Sequence, residues 1–180
     1  MARVRVNDVQ LFYEEVGEGD PLVLVHGGWV DHSTWGLVVP GLAESFRVVA
    51  YDRRGHGQSE HPDPHGPRRD QEDDLAELIG ALDCAPAHVV ANSFGGSIAL
   101  GLAARRPELF RSLGAHEPPL MTAFADDPEL RPLAQDALAS IRSVNELLEA
   151  GDVAAATRVF VEQVALGPGT WELVPTTFAS

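Results

Sequence analysis

The chain has 180 residues, of which 44% are apolar, which is enough for one domain with a sizeable core and argues against wholesale disorder. Its formal net charge of −14 argues against partners that are nucleic acids or anionic membranes. The one cysteine, Cys84, excludes an intrachain disulfide, and no run approaches the roughly 18 apolar residues of a membrane helix. The N-terminal residues do not form a secretory signal, so a cytoplasmic location is expected.

The predicted strands are of two kinds. Residues 4–6 and 11–16 alternate apolar and polar side chains, which predicts an antiparallel edge hairpin. Residues 21–26, 46–51 and 88–91 are short and almost continuously apolar. This second pattern is typical of parallel strands that are buried on both faces.

Helical patterns lie between these strands. One apolar stripe has the spacing i, i+3, i+4 and i+7, formed by Leu75, Leu78, Ile79 and Leu82. Residues 97–106 are small and apolar nearly all round, so we expect a deeply buried helix that ends before Pro107. Residues 109–116 form a further predicted strand. The alternation of strands and helices predicts a mostly parallel, doubly wound α/β sheet.

The pattern changes after Pro119. Asp127 followed by Pro128 predicts a helix N-cap and first turn, Gly151 ends that helix, and Asp152 begins another. The sequence therefore predicts an α/β core over residues 1–122 and a helical segment over residues 123–180.

The stretch ANSFGG, residues 91–96, joins a predicted buried strand directly to a predicted helix. A serine nucleophile on such a sharp turn needs small residues two positions before and after it, here Ala91 and Gly95. Ser93 would then lie at a helix N-terminus, where backbone N–H groups stabilise an oxyanion. The alternative interpretation is a serine that only caps the helix.

Two other turns follow predicted strands. HGGW, residues 26–29, can direct a backbone N–H toward the same point as the N–H of Phe94, or it can be a simple flexible turn. YDRRGHGQS, residues 51–59, is interpreted as structural support. Because Glu60 stands where a third glycine would be needed, a dinucleotide site is not supported.

Several side chains allow more than one interpretation. His61, Asp63 and His65 form an H-x-D-x-H pattern, but the Pro-rich context favours a solvated loop over a metal site. Trp29 is equally a wall of a substrate pocket or a core aromatic, and Trp35 is expected in the core.

HGGW, YDRRGHGQS and ANSFGGS, in this order and each at a strand end, resemble the α/β-hydrolase family, specifically its small soluble enzymes with a helical cap. The resemblance implies Ser93 as nucleophile, an oxyanion hole from the N–H groups of Phe94 and of Gly28 or Trp29, a small-molecule substrate and no cofactor. A serine at position 93 points to esterase, lipase-like, C–C bond hydrolase or perhydrolase chemistry. It argues against the dehalogenase and epoxide hydrolase branches, which use a carboxylate there.

A serine nucleophile needs a histidine base and an acid, which follow the serine along the chain in this fold. Only His116 follows Ser93, and its position makes it a poor base, while His26 belongs to the oxyanion turn. Glu117 is a candidate acid, since some family members place the acid at this strand end, or else a structural carboxylate.

We therefore expect a C-terminally truncated hydrolase that lacks about two strand–helix units of roughly 30 residues each. The intact protein would hydrolyse a small ester or related carbonyl compound. The alternative is a catalytically inactive small-molecule-binding protein on the same fold. A further expectation is oligomerisation through the incomplete edge of the sheet.

Overall fold

The computed structural model describes residues 2–62, 66–124 and 126–173. The chain divides into two compact units, residues 1–119 and 120–180. The strands of the first unit are β1 (Ala2–Val6), β2 (Val9–Val16), β3 (Asp20–Val25), β4 (Phe46–Tyr51), β5 (Ala87–Asn92) and β6 (Phe110–His116). They form one six-stranded sheet in the order β1-β2-β4-β3-β5-β6.

The sheet is mixed and mostly parallel, as the sequence predicts. β1 pairs with β2 and β2 pairs with β4 in antiparallel fashion, whereas β4, β3, β5 and β6 run parallel. The carboxyl ends of these four strands therefore meet at one edge of the sheet. This edge is where ligands bind in open parallel α/β sheets.

The α-helices that the structure describes in the first unit are α1 (Val39–Leu42), α2 (Arg68–Ala81) and α3 (Phe94–Arg105). The apolar periodicity predicted α2 and α3, although α3 begins at Phe94, immediately after Ser93. Short 3₁₀ turns at His32–Trp35 and Pro107–Leu109 complete the unit. The His32–Trp35 turn and α1 gave no periodic signal, because each is only one turn long.

The main core lies between one face of the sheet and helices α2 and α3. From α3, Ile98, Ala99 and Leu102 are completely buried, which agrees with the all-round apolar sequence of that helix. Fully buried strand residues that pack into the same core include Val23, Val25, Val49, Leu11 and Ala91. Because α3 is packed so closely, its N-terminus is fixed relative to the ends of β3 and β5.

The opposite face of the sheet is covered less completely. A smaller cluster there, with Leu24 and Val48 buried, packs against Trp35, which places this tryptophan beside the core as expected. The prediction of burial on both faces is correct for β3 and β4. It is wrong for β5, where Val90 is 36% exposed. The smaller cluster consists of residues from β3 and β4, which are covered by α1 and its neighbours, and it does not extend over β5.

The second unit is helical, as predicted. It contains α4 (Arg131–Glu149), α5 (Val153–Val159), which runs on into a π-helix at Phe160–Ala165, and 3₁₀ turns at Met121–Phe124 and Thr170–Leu173. α4 packs against α5. The buried apolar residues described in this unit are Ala134 and Val144 of α4 and Ala156 of α5.

The ends of α4 and α5 follow the sequence signals with one difference. Gly151 has φ +80° between the two helices, and the Asp152 carboxylate accepts from the Ala155 N–H at 3.0 Å. Asp127 also caps a turn, since it accepts from the Glu129 N–H at 2.8 Å, yet α4 begins only at Arg131. Pro132 has no N–H to donate to a carbonyl four residues earlier, so a regular helix cannot run from Asp127.

The boundary between the units falls after Pro119, whereas the sequence divides the chain after residue 122. Among the described residues, no helix has the length and the apolar character needed to cross a bilayer.

Candidate active site

Ser93 occupies the single residue between β5 and α3. Its backbone has φ +49° and ψ −123°, a conformation that costs a non-glycine residue about 1–3 kcal/mol. The turn is held on both sides: the Ser93 N–H donates to the His116 carbonyl at 2.9 Å, and the Ser93 carbonyl accepts from the Ser97 N–H at 3.3 Å. The strained serine is therefore fixed between the end of β6 and the first turn of α3.

The small residues around Ser93 are required by close backbone packing. Ala91 is completely buried under the turn. A Cβ atom added at Gly95 would lie 2.4 Å from the His26 carbonyl oxygen and 2.6 Å from that of Val25. The size rule read from the sequence is thus a steric consequence of packing α3 against the end of β3.

The HGGW turn lies directly beside Ser93. A Cβ atom added at Gly27 would come within 3.2 Å of the Ser93 Cβ, whereas one added at Gly28 would meet nothing within 4 Å. Within the described part of the chain, no hydrogen bond engages the N–H groups of Gly28 or Phe94. Trp29 has φ +64° and is 43% exposed, so it is not a core aromatic.

His26 is completely buried and structural. Its Nε2 accepts from the Arg53 backbone N–H at 3.0 Å, so Nδ1 carries the proton and donates to the Gly27 carbonyl at 2.8 Å. Burial, and then the charge of Arg53, lower the pKa of His26 to about 3. A histidine whose only lone pair is already bonded cannot accept a proton from a serine.

The residues after β4 form an ordered support, as interpreted from the sequence. The Asp52 carboxylate is completely buried and accepts from the backbone N–H groups of His32 at 2.8 Å and Gln58 at 2.7 Å. The guanidinium of Arg54 forms a bidentate salt bridge with Asp74 of α2. Nε donates to Oδ2 at 2.6 Å and Nη2 donates to Oδ1 at 2.5 Å. These contacts tie the loop to the sheet and to α2.

His116 and Glu117 end β6 beside the serine turn. The His116 side chain is 73% exposed and its Nδ1 donates to Asn92 Oδ1 at 3.1 Å. Glu117 has φ +48° and an 81% exposed side chain, with one carboxylate oxygen 3.9 Å from His116 Nδ1. Among the described residues, no histidine forms a hydrogen bond with Ser93 Oγ, so they supply no base that is bonded to the serine hydroxyl.

The metal-ligand pattern at His61 lies partly outside the described residues, which exclude Asp63 and His65. A different group, Asp31, His32 and Asp52, places one possible ligand atom each within 4.8 Å of one another. His32 Nδ1 already bonds to Asp52 Oδ1 at 2.7 Å, so this nitrogen carries a proton as the structure stands. No sequence motif marks this group, whose members follow β3 and β4.

A cavity of about 270 Å³ lies away from Ser93. It is lined by residues such as Glu14, His32 and Val39, and it opens on the sheet face of Val48 and Ala50. Trp29, the possible wall of a substrate pocket, does not line it.

A mostly parallel sheet that presents a strained serine between β5 and a buried helix, beside a glycine-rich turn, is the arrangement of the α/β-hydrolase fold. The chain belongs to the alpha/beta hydrolase family, whose model matches residues 22–179. The resemblance read from the three sequence motifs is therefore confirmed at the level of the family.

Two relatives with related sequences are hydrolases. The chain is 45% identical over 101 residues to the 2-hydroxymuconate semialdehyde hydrolase of Pseudomonas sp. strain CF600, which covers 54% of this chain and 36% of the relative. It is 36% identical over 108 residues to the soluble epoxide hydrolase of Corynebacterium sp. strain C12, covering 60% of this chain and 38% of the relative. The chain thus spans less than half the length of these relatives.

Solved structures agree. The meta-cleavage product hydrolase of Pseudomonas fluorescens IP01 is 31% identical with a TM-score of 0.59, covering 63% of this chain and 43% of that one. A reconstructed ancestral haloalkane dehalogenase is 28% identical with a TM-score of 0.68, covering 91% and 57%. An epoxide hydrolase of Bacillus megaterium has a TM-score of 0.74 over 89% of this chain and 59% of that one, and at 20% identity it supports the fold alone.

Proposed function

We propose that the chain carries the nucleophile half of a serine hydrolase that acts on a small ester or related carbonyl compound. The observation that carries the proposal is the conformation of Ser93, with φ +49° and ψ −123° between β5 and α3. Such backbone strain persists only when the surrounding packing imposes it, and it is concentrated at functional positions.

The reaction follows from the groups around this serine. Ser93 Oγ forms a bond to the substrate carbonyl carbon while its proton passes to a base, and the carbonyl oxygen becomes an oxyanion. The N–H groups of Phe94 and Gly28 would stabilise that oxyanion, with Trp29 as the alternative donor or as a pocket wall. The leaving group departs with a proton, and water then releases the acid from the acyl-enzyme and restores the serine.

The reaction needs a base and an acid beside Ser93. His26 is excluded by its hydrogen bonds, and His116 donates its Nδ1 proton to Asn92. Glu117 is the candidate acid, since it directly follows the residue whose carbonyl accepts from the Ser93 N–H. Turnover requires a histidine whose ring nitrogen accepts the Ser93 Oγ proton, and none of the described histidines forms that hydrogen bond.

A fluorophosphonate probe tests the proposal on the protein expressed from the complete reading frame. The serine oxygen forms a bond to phosphorus and fluoride leaves, so peptide mass mapping locates the adduct. We expect one adduct at Ser93, none in Ser93→Ala, and normal labelling in the matched control Ser97→Ala, whose hydroxyl donates to the Phe94 carbonyl at 2.8 Å. A labelled serine elsewhere, or none, rejects the proposal.

Substrate class is tested with the same protein. Aryl esters of increasing acyl length probe esterase activity, and 2-hydroxymuconate semialdehyde, named for a relative 45% identical over the shared region, probes C–C bond hydrolysis. Hydrolysis that disappears in Ser93→Ala supports the assignment to Ser93.

A second candidate function is binding without turnover. It is favoured by one observation, namely that within the described residues no histidine contacts Ser93 Oγ. Calorimetry separates the two: a binder holds substrate-like esters unchanged for hours and holds them equally well in Ser93→Ala.

We also propose that two copies associate through the β6 edge. Among the described residues β6 is an edge strand of the sheet, and the outward-facing backbone groups of an edge strand are a template for another strand. Sedimentation over a wide concentration range tests this, and a monomer at every concentration rejects it.

A further inference from the structure

Arg53 is a buried cation that lies behind the HGGW turn. It is 1% exposed, and its guanidinium reaches three kinds of acceptor. Nε donates to the His26 carbonyl at 3.1 Å and one terminal nitrogen donates to the Gly27 carbonyl at 2.7 Å. The remaining donors reach the His56 ring at 3.0 Å and the Gln71 side-chain oxygen.

No described carboxylate forms an ion pair with this guanidinium. Burial lowers the pKa of Arg53 to about 10, so the group is charged at neutral pH. An uncompensated buried charge is costly, and buried charges are usually paired with an opposite charge. The charge of Arg53 is instead stabilised by backbone carbonyl dipoles and by the Phe94 ring. The guanidinium carbon lies 5.4 Å from the centroid of that ring.

The geometry of the peptide bond links these contacts to Ser93. In a planar trans peptide the C=O and the following N–H point in opposite directions. The Gly27 carbonyl is held from one side by Arg53 and by His26 Nδ1, so the Gly28 N–H is directed to the other side. The same glycine backbone lies against Ser93, since a Cβ at Gly27 would be 3.2 Å from the serine Cβ.

We propose that Arg53 is a positioning residue that sets the direction of the Gly28 N–H and so builds the oxyanion hole. It donates to the Gly27 carbonyl, which belongs to the same peptide as the Gly28 N–H, and its guanidinium lies over the Phe94 ring. The role given to these two N–H groups rests on the proposed function. The fixed orientation of the Gly27–Gly28 peptide does not, because it follows from the hydrogen bonds alone.

Arg53→Met tests the inference, since it keeps the length and apolar stem but removes the donors. Arg47→Met is the matched control, because the Arg47 guanidinium also donates to two carbonyls, those of Leu82 and Asp83, at 3.1 and 3.0 Å. Two quantities are measured on the protein from the complete reading frame. They are the hydrogen–deuterium exchange rate of amides 27–29 and the rate of fluorophosphonate capture at Ser93, divided into probe affinity and maximal rate.

In Arg53→Met we expect exchange at amides 27–29 to rise at least tenfold. The maximal capture rate should fall by roughly 10²-fold, the size of effect seen when one oxyanion donor is lost, with probe affinity unchanged. A merely structural role would not separate maximal rate from affinity. Arg53→Lys should restore part of the rate, and Arg47→Met should leave both quantities unchanged.

A folded Arg53→Met protein with unchanged exchange and capture rate overturns the inference. If Arg53→Met does not fold, Arg53→Lys decides: an intermediate loss supports the inference, and unchanged rates overturn it. If the unaltered protein is not captured at Ser93 while Arg53→Met still raises exchange, the proposed function fails and the positioning of the peptide stands.

Discussion

Gly95 at the start of α3 lies so close to His26 at the end of β3 that a Cβ atom on the glycine would be 2.4 Å from the histidine carbonyl oxygen. The neighbour is backbone and has no rotamer by which to move away. We expect Gly95→Ala to lower the free energy of unfolding by about 2 kcal/mol or more, as overpacking does in a dense core.

The matched control is Gly28→Ala. Its added Cβ meets nothing within 4 Å, so the free energy of unfolding should stay within about 0.5 kcal/mol of the unaltered protein. Urea denaturation measures both variants. Equal stability of the two proteins would contradict the close approach of α3 to β3.

Ser93 is expected to reduce stability because of its backbone conformation. Glycine adopts φ +49° at no steric cost, whereas alanine keeps the strain. Ser93→Gly should therefore exceed Ser93→Ala in free energy of unfolding by about 1 kcal/mol. Both lack the hydroxyl, so the comparison isolates the backbone. Thermal and urea unfolding check it, and a less stable glycine variant would argue that the turn is not strained.

His26 makes stability depend on pH. Its pKa falls from 6.5 in an unfolded chain to about 3 in the folded protein, so the unfolded state binds the extra proton as the pH decreases. Its contribution is present above pH 6.5 and is lost progressively as the pH falls toward 3. This difference in the pKa of His26 corresponds to a change of at most about 5 kcal/mol in the free energy of unfolding.

Nitrogen chemical shifts of the His26 ring measure this directly. We expect a neutral ring with the proton on Nδ1 throughout the range from pH 7 to pH 4. A ring that becomes doubly protonated near pH 6.5 in the folded protein would contradict the hydrogen bond from the Arg53 N–H.

The Arg54–Asp74 pair connects the loop after β4 to α2. Asp74 accepts from two guanidinium nitrogens and also from Asn7 Nδ2 at 2.9 Å, and both charged side chains are buried. Asp74→Asn leaves Arg54 without its main counter-charge, so we expect a loss of about 3 kcal/mol of unfolding free energy. The exposed Arg111–Asp20 pair is the control, and Asp20→Asn should cause no measurable change.

The sequence predicts the central strands well because strands that are buried on both faces need apolar side chains at every position. The run from Leu22 to Val25 is apolar at every position and is buried at every position. The same pattern in β5 misleads at Val90, since a sequence does not show whether a second layer covers a strand. The glycine-rich turns are equally clear, because Gly95 and Gly27 are fixed by close approach.

Arg53 shows what sequence reasoning misses. A charged residue in a loop between a strand and a helix is ordinarily exposed, and nothing in YDRRGHGQS separates the buried, carbonyl-bound Arg53 from the carboxylate-paired Arg54. The two side chains differ in their partners: Arg53 donates to the carbonyls of His26 and Gly27, whereas Arg54 donates to Asp74 of α2. Only the three-dimensional arrangement of β3, β4 and α2 determines this difference.

The hydrogen bond from the Ser93 N–H to the His116 carbonyl extends the β5–β6 ladder by one rung beyond the last paired residues, Asn92 and His116. The backbone of the candidate nucleophile is therefore hydrogen-bonded directly to the edge strand β6. A displacement of β6 along its own axis would move the acceptor of this hydrogen bond. The addition of another strand to β6 would therefore affect the backbone position of Ser93.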